Sequence, residues 1–129
     1  MDLERRAFLA GTAAVTIAGQ AIAMEKGQTM YGLIGKMTAQ PGKREALTAI
    51  LVKGVSGMPG CLSYVVANDP QLPEVIWITE VWESKEAHMA SLSLPSVRGA
   101  IAKGRPLIAG MERIAETAPV GGSGLSSGH

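Results

Sequence analysis

The chain has 129 residues, of which 47% are hydrophobic but only 4% aromatic, and its formal net charge is +1 at pH 7. This length allows one small domain, and no basic run or stripe favours nucleic-acid binding. The single cysteine, Cys61, excludes an internal disulfide and a cysteine-based metal site. Because His88 is the one histidine besides the terminal His129, a zinc site built by the protein is not expected either.

The first 23 residues have the order of an export signal. Arg5 and Arg6 precede a weakly apolar run that ends in Ala21-Ile22-Ala23, and this order is typical of a secretory signal. The arginine pair followed by Phe-Leu is similar to a twin-arginine signal. Since the run is too short and too polar to span a bilayer, we expect an exported, periplasmic protein without stable membrane insertion. The alternative is a cytoplasmic protein translated from Met24.

The rest of the chain divides into three predicted segments. Residues 24–29 are a linker, residues 30–118 form the folded domain, and the Gly/Ser-rich residues 119–129 form a disordered tail. His129 lies alone in this tail and is given no metal role. A domain this small gains stability by covering a sheet face with a copy of itself, so we expect a homodimer.

The domain begins with a strand and a helix. Residues 29–39 carry apolar side chains on both parities, which predicts a strand covered on both faces. Apolar residues then recur with helical spacing from Leu47 to Met58, which predicts an amphipathic helix that Pro59-Gly60 ends.

Two strands, two helical pieces and a last strand follow. Residues 61–68 and 74–83 are rich in β-branched and aromatic residues and are separated by a turn-rich link. Ser84 is suited to N-cap a helix over 85–94, Pro95 begins a second one that closes at 104, and residues 111–118 predict the final strand. The order β-α-β-β-α-(α)-β predicts an α+β, ferredoxin-like antiparallel sheet with helices on one face. A second protomer's sheet would cover the other face and produce a dimeric barrel.

The two tryptophans lie on the third strand, where side chains alternate between faces. Trp82 shares a face with Glu80, whereas Trp77 points to the opposite face. Trp82 lies next to the following helix and can approach His88. A carboxylate buried beneath the helices needs a partner, and the candidates for Glu80 are His88, Arg98 and Arg105.

Four stretches in order, PGKREAL, MPGCLSYVVANDP, EVWESKEAH and LSLPSVRGAIAKGRPLI, resemble the antibiotic biosynthesis monooxygenase family, in particular its small quinol monooxygenase type. The resemblance covers residues 30–118. It implies a dimeric α+β barrel with a pocket between sheet and helices in each protomer. It also implies that O2 oxygenates a quinol- or anthrone-like phenol without metal, flavin or haem.

Roles for individual residues come with this resemblance. Trp82 matches the tryptophan that the family carries at a strand end, and it would stack on a flat substrate. Anthrone-oxidising members have an asparagine four residues before that tryptophan. Ile78 occupies the position here, which favours a smaller or different substrate.

His88 is the predicted catalytic base, because a phenol that loses its proton becomes able to reduce O2. Tyr64 is predicted to hydrogen-bond a substrate oxygen, and Glu80 to belong to an ion pair beside the substrate. Ser91, one turn after His88, could hydrogen-bond into the same pocket. Arg105 could hold an anion or cap the helix before Pro106.

Two other functions stay open at this point. One is a non-catalytic domain of the same fold that binds a small ligand or protects against stress. The other is haem binding or haem degradation, since haem-degrading enzymes share the dimeric barrel. Those enzymes need a helix histidine and a strand asparagine, and the first strand here has no asparagine, so haem ranks lower.

Overall fold

A computed structural model describes residues 29–125, in which four strands and three helices follow one another along the chain. The predicted export signal, the linker before residue 29 and the last four residues of the predicted tail lie outside the described residues. The elements are β1 (Tyr31–Ala39), α1 (Arg44–Gly54), β2 (Cys61–Asn68), β3 (Val75–Trp82), α2 (Lys85–Ser91), α3 (Pro95–Gly104), a 3-10 turn (Arg105–Leu107) and β4 (Ile108–Thr117).

The strands form one antiparallel sheet in the order β2-β3-β1-β4. This arrangement confirms the predicted α+β, ferredoxin-like fold. The register places Tyr64 opposite Glu80 and Leu33 opposite both Glu80 and Glu116. One row of side chains therefore crosses the whole sheet on the face that the helices cover.

Three element boundaries differ from the prediction. α1 ends at Gly54 rather than at Pro59, and the chain then turns through Gly57 and Gly60, whose φ angles are 73° and 80°. α2 ends at Ser91, since Leu94 adopts the extended backbone that a residue before proline favours. β4 begins at Ile108, because that residue already pairs with Ala39 of β1.

The apolar core on the helix-covered face consists of two clusters. Leu47 and Ile76 are fully buried in the first cluster, and Trp82 is 1% exposed in the second. Both clusters draw on β1 and β3, so the sheet joins them. The first contains Met37, Ala39, Leu47, Ile76 and Ile78, and the second contains Tyr31, Leu33, Met58 and Trp82.

Helices α1 and α3 cross at a point where small residues are required. A Cβ atom built on Gly54 would lie 2.5 Å from the Cβ of Ala100. The same atom built on Gly99 would meet nothing within 4 Å. None of the helices within residues 29–125 has the length and apolar character needed to cross a membrane.

Substituting these two helical glycines should change stability in opposite directions. Gly99→Ala should raise the free energy of unfolding by about 0.5–1 kcal/mol, because alanine loses less backbone freedom on folding. Gly54→Ala should lower it by about 1–3 kcal/mol, since the added methyl group collides with Ala100. Urea denaturation of the two variants measures both effects, and a stabilised Gly54→Ala would contradict the close helix crossing.

Candidate functional site

A cavity of about 490 Å³ lies between the sheet and the helices. Its wall includes members of both core clusters, among them Met37 and Leu47 from the first and Met58 from the second. The wall is mostly apolar. All six residues that the sequence singled out line it: Tyr64, Glu80, Trp82, His88, Ser91 and Arg105.

The carboxylate of Glu80 is held by a hydrogen bond from its own strand. Trp82 Nε1 donates to Glu80 Oε1 at 2.8 Å, which is possible because residues two apart on a strand share a face. Of the predicted partners of Glu80, His88 lies within ion-pair distance at 3.8 Å, but the hydrogen bond from Trp82 was not predicted. The carboxylate and the indole N–H are thus hydrogen-bonded to each other between the sheet and the helices.

Helix α2 brings His88 against this pair. Ser84 caps the helix as predicted, its hydroxyl accepting the Ala87 N–H at 3.1 Å. The imidazole packs edge-on against Trp82, with ring centroids 5.4 Å apart, and against Tyr31 at 5.5 Å. Its Nε2 atom lies 3.8 Å from Glu80 Oε1, which is beyond hydrogen-bonding distance. A small oxygen-bearing group could bridge the two atoms.

The surroundings keep the imidazole neutral. Burial lowers the pKa of His88, and the charge of Arg113 lowers it further. Burial raises the pKa of Glu80, while the hydrogen bond from Trp82 opposes that shift. The His88 side chain is 13% exposed, and its Nδ1 atom is buried with no hydrogen-bond partner among residues 29–125. A neutral imidazole keeps one unprotonated nitrogen, and the ring nitrogen that faces Glu80 is Nε2.

The other predicted residues take different positions on the wall. Tyr64 faces Glu80 across the β2–β3 pair, and burial raises the pKa of its hydroxyl, which stays protonated. The hydroxyl of Ser91 donates to the His88 carbonyl at 2.6 Å, so its proton is used within α2, although the residue also lines the cavity. Arg105 lies exposed at the edge of the cavity, and its backbone N–H bonds to Ile101 at the end of α3.

A second polar group behind His88 was not predicted. The Tyr31 hydroxyl donates to Glu116 Oε2 at 2.6 Å, and the same oxygen lies 3.0 Å from Arg113 Nη1. The Tyr31 hydrogen bond lowers the pKa of Glu116. Tyr31 and Glu116 are separated by 85 positions, and a register shift next to Gly35 sets where Arg113 lies. No local sequence pattern indicates such a contact.

Trp77 lies on the opposite face of the sheet, as strand parity predicts. Its indole donates to Asp69 Oδ2 at 2.8 Å, and Lys36 Nζ lies 5.7 Å from its ring centroid. This hydrogen bond, together with those from the backbone N–H groups of Leu72 and Gln71, lowers the pKa of Asp69 to about 2. The two tryptophans therefore bind different carboxylates on the two faces.

Cys61 is a free, half-buried thiol, and burial raises its pKa. Within residues 29–125, no cluster of three His, Cys, Asp or Glu side chains is placed to hold a metal ion.

Residues 30–103 match the antibiotic biosynthesis monooxygenase family. The chain belongs to this family. A Chloroflexus aurantiacus J-10-fl protein that carries this family name is 69% identical, over 76% of the present chain and 100% of its own, with a TM-score of 0.74.

Other antibiotic biosynthesis monooxygenase structures share the fold at much lower identity. One from Caulobacter crescentus CB15 is 21% identical over 77% of this chain and 99% of its own, with a TM-score of 0.64. One from Nitrosomonas europaea is 12% identical over 72% and 92%, with a TM-score of 0.66. None of the curated proteins matches the sequence.

The raised pKa of Glu80 makes a prediction about stability. The unfolded chain releases this proton at a lower pH than the folded chain does, so the stability that the protonated form contributes is lost as pH rises through the folded pKa. Glu80→Gln keeps the shape and an acceptor for Trp82. The variant should match the wild type below pH 4.5, the ordinary pKa, and should be more stable at pH 7.

Denaturant unfolding at both pH values measures this difference. Glu86→Gln is the matched control, because Glu86 is exposed on α2. If both substitutions changed the free energy of unfolding equally at pH 7, burial would not destabilise the ionised form of Glu80.

Proposed function

We propose that this family member is a cofactor-independent monooxygenase that oxidises a quinol-like phenol with O2. The observation that carries the proposal is the His88 imidazole beside the Glu80 carboxylate in a mostly apolar cavity, where burial lowers the pKa of the imidazole. One atom of O2 replaces a ring hydrogen to give a hydroxyquinone, and the other leaves as water. All four electrons come from the substrate, so the reaction needs no external reductant.

Each polar or aromatic residue on the cavity wall has a separate role in this reaction. His88 Nε2 accepts the phenolic proton, and Glu80, at 3.8 Å, stabilises the imidazolium that forms. The phenolate is then electron-rich enough to pass an electron to O2. Trp82 forms a flat apolar wall for the ring, and the protonated hydroxyl of Tyr64 can donate to a substrate oxygen. The apolar lining excludes water that would compete for these hydrogen bonds.

A second candidate is a non-catalytic domain that binds a small aromatic ligand. The apolar character of the cavity wall favours it, since apolar pockets with few polar groups are typical of ligand sites in general. A binder would hold the phenol without consuming O2. Incubation with a panel of quinols, with and without O2, separates the two functions.

Replacing the base should remove turnover but leave the fold intact. His88→Gln should lower quinol-dependent O2 uptake about 10²-fold, the usual scale for losing a positioned base. Melting should shift by only a few degrees, because no large apolar group is lost. Glu86→Gln, a substitution on the exposed side of the same helix, should retain wild-type uptake.

The pH profile provides an independent check of this role. Uptake should rise as His88 loses its proton, and because its pKa is lowered from 6.5, the half-maximal point of the rise should lie below that pH. Full uptake by His88→Gln per folded molecule would make His88 a packing residue. Binding of quinols without any O2 uptake would favour the binder.

We also infer a homodimer through the sheet face that the helices leave uncovered. Val65 is 51% exposed there and pairs with Thr79, which is also exposed. Val81 and Trp77 on the same face are half-buried. A second sheet packed on this face would remove these side chains from water.

A charge placed on this face should prevent dimer formation. Val65→Asp should sediment as a monomer at micromolar concentration, because a carboxylate buried between two sheets has no partner. Val52→Asp is the matched control, since Val52 is 58% exposed on α1, and it should remain dimeric. A monomeric wild-type chain in sedimentation equilibrium would overturn the inference.

A further inference from the structure

The charged residues in the segment after α2 are all basic. Between Glu86 and Glu112 the chain carries Arg98, Lys103 and Arg105 but no acidic residue. All three side chains are exposed, on α3 and the turn that follows it. A surface segment with basic but no acidic side chains is attracted to anionic surfaces.

The mouth of the cavity lies against this cationic segment. The lining residues that remain exposed mark the opening, and they include Ile101 at 41%, Leu92 at 44% and Met111 at 70%. Arg105 is both exposed and part of the lining. Exposed apolar side chains grouped around an opening are typical of an interaction surface rather than of ordinary protein surface.

Helix α3 arranges the two kinds of side chain together. Arg98, Ile101 and Arg105 follow at i, i+3 and i+7, which places them along one side of the helical segment. Apolar side chains flanked by basic ones are the pattern of elements that lie in a membrane interface. The nearby Arg113 contributes less charge, because Glu116 pairs with it at 3.0 Å.

We propose that the cavity mouth docks on the surface of an anionic lipid bilayer. The Arg98 and Arg105 side chains contact lipid headgroups, while Leu92, Ile101 and Met111 enter the boundary between headgroups and acyl chains. Charge complementarity selects this occupant over an apolar protein partner. The substrate route rests on the proposed function: an apolar phenol dissolved in the bilayer reaches the cavity without crossing water.

The test is co-sedimentation with vesicles of phosphatidylcholine alone and with added phosphatidylserine. The full-length chain is used throughout, so any contribution of residues 1–28 is common to all variants. The wild type should bind the phosphatidylserine vesicles more tightly, and added salt should weaken that binding. Each basic residue near an anionic surface strengthens binding about five-fold, so Arg98→Gln with Arg105→Gln should weaken it by more than about tenfold.

Control variants test whether vesicle binding depends on the cavity mouth in particular. Lys43→Gln with Lys53→Gln removes the same charge from the two ends of α1, where both side chains are exposed, and it should bind like the wild type. Met111→Ser should weaken binding to both kinds of vesicle. Leu72→Ser, at a side chain that is 50% exposed in the β2–β3 link, should not.

Several outcomes would overturn the docking surface. If both double variants lost vesicle binding equally, the attraction would come from the net charge of the protein alone. If the wild type bound equally with and without phosphatidylserine, the proposed contact between basic side chains and anionic headgroups would be wrong. A fluorophore at Ile101→Cys, in a Cys61→Ala background, should shift to the blue with anionic vesicles. A shift that instead follows protein concentration without vesicles would assign the mouth to a second copy of the chain.

The two proposals fail in different ways. Vesicle binding without O2 uptake would refute the oxygenase function and retain the docking surface. O2 uptake by a chain that binds no vesicles would refute the docking surface and retain the oxygenase function.

Discussion

A single hydrogen bond, from the Trp82 indole to Glu80, allows a carboxylate to lie in the layer between the sheet and the helices. A buried carboxylate without a partner is costly, so in its absence this position would favour an apolar residue. With the bond in place, the carboxylate faces the imidazole that α2 delivers. The polar centre of the cavity therefore depends on two residues of one strand, and every chemical role inferred for His88 follows from their proximity.

The cavity itself depends on small side chains between the helices. Gly54 allows α1 to approach α3 at Ala100, and Gly104 lies beside Leu47, where a Cβ atom would come within 3.2 Å of its Cδ1. All four residues line the cavity. Close packing at this crossing anchors the helices, while the space between the two core clusters stays open. A larger residue at the crossing would disturb both the core and the site.

Polar groups are unevenly distributed around the cavity. Glu80 and Trp82 lie deep against the sheet, whereas Arg105 and the exposed apolar residues surround the opening. Tyr31 connects the interior to the surface, because its ring packs on His88 and its hydroxyl reaches Glu116. The side chains proposed for proton transfer and those around the opening are thus separate sets. A change in one set need not disturb the other.

Local patterns in the sequence determined the order of elements, the Ser84 cap and the facing of Glu80, Trp82 and Trp77, because strand parity and capping act over a few residues. Together with the family resemblance, they also singled out six of the residues that line the cavity. Only the tertiary structure decided that the indole hydrogen-bonds to Glu80, and that α1 ends at Gly54 against α3. It likewise brought Tyr31 to Glu116, 85 positions away. Such contacts depend on strand register and on the close approach of helices, which no short stretch of sequence encodes.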